Sequence, residues 1–60
     1  MERKETITRE VALVRSCCTD IEDYLLIGDW IGVMACSEMI LIMGSRMAKE
    51  ATEAVYEEGR

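Results

Sequence analysis

Sixty residues form one domain at most, and a domain of this size buries only about 60% of the surface its unfolded chain exposes. Half of the residues are hydrophobic, yet the formal net charge is -5, which argues against nucleic-acid binding through a broad basic surface. The chain has no histidine, no proline and three cysteines: the commonest general base and metal ligand is missing, uninterrupted helices are allowed, and a disulfide-stapled secreted scaffold is disfavoured.

The first predicted helix covers about 6–27. Ile7, Val11, Val14, Cys18, Ile21 and Leu25 recur at alternating spacings of four and three, an apolar seam carried through nearly three heptads. Leu13, Cys17, Tyr24 and Ile27 widen the stripe, while Arg15, Ser16, Thr19, Glu22 and Asp23 hold the polar face. Thr19 and Glu22 match a capping box, but the seam passes through them without a change of phase, so one continuous helix is expected.

At 28–29 the chain carries a stop and a start side by side. Gly28 suits the left-handed position past a helix C-terminus, and Asp29 can cap the next helix. So short a connection lays the two helices side by side and antiparallel. In the expected register the two numbers of a facing pair sum to about 57. Leu25 then faces Gly32, Ile21 faces Cys36, Val14 faces Met43, and Ile7 faces Glu50 and Ala51. The same register sets Arg3 and Lys4 beside the acidic residues Glu50, Glu53, Glu57 and Glu58.

The second helix, about 30–57, is apolar nearly all round from Trp30 to Met43, as expected of a helix covered on more than one side. One seam of Cys36, Ile40, Met43, Met47, Ala51 and Ala54 serves the first helix. Trp30, Ile31, Met34, Ala35, Leu41 and Ile42 are left as the candidate interface for an oligomer or another partner. Farther along, Gly44, Ala48, Ala51 and Thr52 are small and permit close backbone approach. The apolar run is shorter than the roughly 20 residues of a membrane span, so a buried core helix is the expected role and membrane association the alternative.

No catalytic residues or cofactor are expected. Cys17, Cys18 and Cys36 have no histidine to activate them, and no glycine-rich loop follows a strand. Cys17, Cys18, Cys36, Met39, Met43 and Met47 are soft donors that suit Cu(I), but methionines at helical spacing also fill helix interfaces, and no metal site is assigned. With no cleavable leader pattern at its start, the chain is expected in a reducing cytoplasm.

In size, central turn and heptad seam the chain resembles the Rop-type plasmid RNA-binding regulators. The resemblance implies a homodimer of helical hairpins, with Arg9, Arg15, Arg46 and Lys49 as the basic residues available to RNA. Leu26, Gly28, Trp30 and Gly32 also read L-x-G-x-W-x-G, similar to the turn of small secreted WXG-motif hairpins. Those chains are longer and place an acidic residue four after a tail tyrosine, where Tyr56 here is followed by Arg60. The expected fold is thus all-α, an antiparallel two-helix hairpin assembling as a homodimeric four-helix bundle. The expected role is a non-enzymatic protein-interaction or regulatory module whose partners are itself and another protein.

Overall fold

The computed structural model describes residues 2–59. It is all-helical: α1 spans Arg3–Ile27, α2 spans Trp30–Glu58, and the two pack along their length as a hairpin. At 1.5 Å per residue the helices are about 38 and 44 Å long, which accounts for a rod of 50 × 15 × 14 Å.

The turn forms from the two residues that announce it. Gly28 adopts φ 69° and ψ 26°, the left-handed conformation in which a side chain would be strained. Its N–H donates to the Leu25 carbonyl, and the Asp29 N–H donates to the Tyr24 carbonyl at 2.9 Å. That pair of bonds is a Schellman motif, and it satisfies carbonyls the helix would otherwise leave open. Asp29 then caps α2, its Oδ1 accepting the Gly32 N–H at 3.0 Å. One residue thus closes the first helix with its backbone and opens the second with its side chain.

α1 begins at Arg3, three residues before the predicted start. Its N-terminal residue Glu2 makes no side-chain cap. The first turn is held instead by the Thr6 and Thr8 hydroxyls, which donate to the Glu2 and Lys4 carbonyls, and by ion pairs from Arg3 to α2. Thr19 also donates back to a carbonyl, that of Arg15, so no capping box forms there and the helix runs on unbroken.

The seam between the helices differs in part from the one read in the sequence. Ile7, Val14 and Ile21 do face α2, but Val11, Cys18 and Leu25 are exposed. Glu10, Cys17 and Tyr24 take the intervening places. On α2, Val33, Cys36, Ile40, Met43, Met47, Glu50 and Ala54 form the facing seam, with Glu50 in place of the expected Ala51. Both heptad readings share their first positions and differ by one residue at the others, a rotation of α1 about its own axis. The rotation is set at both ends. Near the turn the Tyr24 ring lies over Gly32, so close that an added Cβ would come within 2.5 Å of it. At the open end Arg3 and Glu10 reach Glu53 and Arg46. Tyr24 with Gly32 and Glu10 with Arg46 fall within one position of the expected register, and Arg3 spans it, reaching Glu50 on one side and Glu57 on the other. Met43 alone among the described residues is buried, at 2% exposure.

Candidate interaction surface

The open end of the hairpin carries its ordered charges. Arg3 donates to Glu57 at 2.8 Å and to Glu50 at 3.0 Å, with Glu53 at 3.8 Å. Hydrogen bonding from Arg3 holds the Glu57 carboxyl below the usual carboxylate range, and the same bonds raise the already high pKa of the guanidinium. Four carboxylates near the C-terminus of α2 oppose its dipole, and a guanidinium set among three of them offsets that repulsion. Among the described residues no ion pair is formed by Lys4 or Arg9.

Glu10 is the polar intrusion into the α1 side of the seam, among the described residues, that the periodicity does not mark. Its side chain is 14% exposed; one carboxylate oxygen lies 3.8 Å from Arg46, and the other is buried without a hydrogen-bond partner. A charge between Arg9 and Val11 reads in sequence as part of the solvated face. Only the rotation of α1 turns it inward.

The thiols and thioethers are not gathered. Cys17 and Cys36 are both half-buried along the seam, where burial first, then the nearby Cys17 and Asp20, pushes the Cys36 thiol up. Cys18 lies outside on α1, Met39 is exposed, and Met43 is in the core. Among the described residues no cluster of three histidine, cysteine or acidic side chains is placed to hold a metal. The basic residues are divided too. By helical register Arg9, Arg46 and Lys49 fall on one side of the hairpin, Arg15 on the other, and Glu10 lies beside Arg46.

Every residue of the predicted interface that is large is exposed: Trp30, Ile31, Met34, Leu41 and Ile42, with Ala35 exposed as well. The seam facing α1 divides them between two flanks of α2. Trp30, Met34 and Leu41 belong with Ser37, Gly44, Ala48, Ala51 and Val55, a second heptad series without a single charge. Ala35 and Ile42 fall on the opposite flank, which becomes charged beyond them at Arg46, Lys49 and Glu53. Ile31 points away from α1. Helices paired antiparallel place like flanks on the same side, so the uncharged series of α2 adjoins Val11, Cys18 and Leu25 of α1.

α2 is also long and apolar enough to cross a membrane by length and composition, with a window of mean hydropathy 1.4. Only 6% of that window is buried within the hairpin, whereas the core helix of a soluble monomer would be mostly covered. No protein-family profile, curated protein or solved structure gives a match to this chain.

Proposed function

We propose that this chain is a non-enzymatic interaction module that works as a self-associated helical hairpin, the uncharged flank of α2 covered by a second copy in a dimeric four-helix assembly. The observation that carries the reading is surface area. A compact chain of 6.8 kDa exposes about 4,000 Å², and this one exposes 4876 Å². The excess is roughly what one partner contributes to an interface of standard size. It is also apolar in the right place: Leu41 is 73% exposed and Trp30 is 68% exposed on a helix that elsewhere supplies the core.

The chemistry on the surface supports interaction over catalysis. The titratable groups that are tied down, Arg3 and Glu57, are engaged with each other at the open end. The odd number of cysteines supports a reducing compartment such as the cytoplasm. Regulation of a further protein through the remaining exposed face is part of the proposal, and so is its low reliance on nucleic acid, since the basic residues are split between two sides.

A second reading is favoured by the hydropathy of α2: insertion of that helix into a bilayer. It would set Glu38 within the apolar segment and separate α2 from the α1 seam that buries Met43, which is why the soluble assembly is preferred. Co-purification separates the two. Tagged wild-type chain should retain untagged chain from detergent-free solution, and Leu41→Asp should abolish retention. Recovery of the chain only with detergent or lipid vesicles would overturn the soluble assembly in favour of the membrane.

A further inference from the structure

We infer that the contact between copies is α2 against α2 of the second chain, antiparallel, with large residues of one half of the helix seated on small residues of the other. The inference rests on the self-association proposed above and adds which surface pairs, and in which direction.

Three observations carry it. The first is the order of sizes along the uncharged flank. Its N-terminal half presents Trp30, Met34 and Leu41, whereas its C-terminal half presents Gly44, Ala48 and Ala51 before Val55. Laid antiparallel about a two-fold axis between Leu41 and Gly44, the flank matches itself. Leu41 meets Gly44 of the other copy, Met34 meets Ala51, Trp30 meets Val55, and the two small residues Ser37 and Ala48 meet between them. Parallel alignment would press Trp30 on Trp30 and Leu41 on Leu41, while Gly44 and Ala48 faced their own copies across a gap, and packed interfaces exclude such voids.

The second observation is Gly44 itself. A glycine inside a helix costs stability relative to alanine, and a Cβ added at Gly44 would meet no atom of the hairpin within 4 Å. Nothing within the hairpin calls for a missing side chain there. Gly32 is the contrast, because the Tyr24 ring fills the space a Cβ would need. The notch at Gly44 opens outward, at the centre of the flank, where Leu41 of an antiparallel copy would enter. Ser37 fits the same surface, since its hydroxyl already donates to the Val33 carbonyl at 2.7 Å.

The third is area and charge. The side of the rod that bears this flank, α1 included, is roughly 750 Å², close to the ~800 Å² per partner of a stable interface, and the α2 flank is its uncharged part. The α1 part of that side carries Arg15 and Glu22 on its outer flank, so stacking α1 on α2 of the second copy would set charges against the uncharged seam. Pairing α2 with α2 keeps the apolar surfaces together.

Disulfide trapping tests direction and register together. In a chain with Cys17, Cys18 and Cys36 replaced by alanine, Ser37→Cys and Ala48→Cys variants are mixed in equal amounts and oxidised gently. The expected dominant product is the mixed disulfide, with little of either homodimer. Predominant homodimers of Ser37→Cys would overturn antiparallel pairing while leaving self-association standing. A chain that sediments as a monomer at high micromolar concentration would overturn both. If the cysteine-free chain fails to fold by circular dichroism, charges on the otherwise wild-type chain give the same reading. The double variant Ser37→Glu, Ala48→Lys should dimerise more tightly than either single variant, and a double weaker than both singles would contradict the antiparallel contact.

Discussion

At the scale of single residues, the fold turns on a few positions whose packing is unforgiving. Gly32 lies beneath the Tyr24 ring, where a Cβ would come 2.5–2.7 Å from three ring carbons. Alanine there should gain up to about 1 kcal/mol in helix propensity. Overpacking costs about 1–3 kcal/mol, and the ring atoms involved lie at the base of the ring, so they cannot simply swing aside. Gly32→Ala should therefore lower the midpoint of thermal unfolding followed by circular dichroism; a rise would mean that the ring does not hold this contact. Glu10 gives the opposite case. Its buried oxygen has no partner and its ion pair with Arg46 is long, at 3.8 Å to a largely exposed guanidinium. Glu10→Leu should stabilise the protein by about 1–3 kcal/mol in urea unfolding, because an ill-satisfied carboxylate is replaced by a seam residue. Glu10 was not legible from periodicity, since a glutamate between Arg9 and Val11 carries no sign of facing inward. Arg3 was legible, because the turn fixed which end of α2 it would meet.

At the scale of elements, the turn decides most of the architecture. Gly28 and Asp29 were readable as a stop and a start because left-handed backbone and side-chain capping each select a narrow set of residues. The hairpin is their direct consequence. The rotation of α1 is not, since the alternating four and three spacing admits two phases and a single sequence contains apolar residues in both: Val11, Cys18 and Leu25 in one, Cys17 and Tyr24 in the other. Tertiary contacts at the two ends of the helix chose between them. Asp29→Ala removes the cap on the Gly32 N–H and should cost about 1 kcal/mol, with Asp29→Asn losing less. At the other end, Glu57 titrates below the ordinary carboxylate range because Arg3 donates to it. A carboxylate whose folded pKa is depressed contributes stability above its unfolded pKa and loses it as pH falls through the folded value. Stability should thus be level in pH through neutrality and decline below about pH 4.3, the ordinary glutamate value. Arg3→Gln should flatten that decline at Glu57 in urea midpoints measured against pH; an unchanged slope would contradict the contact.

At the scale of the whole molecule, the hairpin is a rod with one buried side chain among the described residues and an uncharged flank running the length of α2. Two helices cannot enclose a core, and the surface left over is close to what one more copy would cover. The proposal of a partner starts from the sequence, where the apolar run of α2 is too wide for one partner helix to cover. Of the six residues read in the sequence as a candidate interface, Trp30, Met34 and Leu41 share the uncharged flank, whereas Ile31, Ala35 and Ile42 lie on other sides of α2. The central claim is that this protein exists as a self-associated hairpin, and sedimentation equilibrium of the wild-type chain in detergent-free buffer tests it most directly. The expected result is the mass of two chains at micromolar concentration, dissociating on dilution; a single-chain mass with full helicity across that range would contradict it.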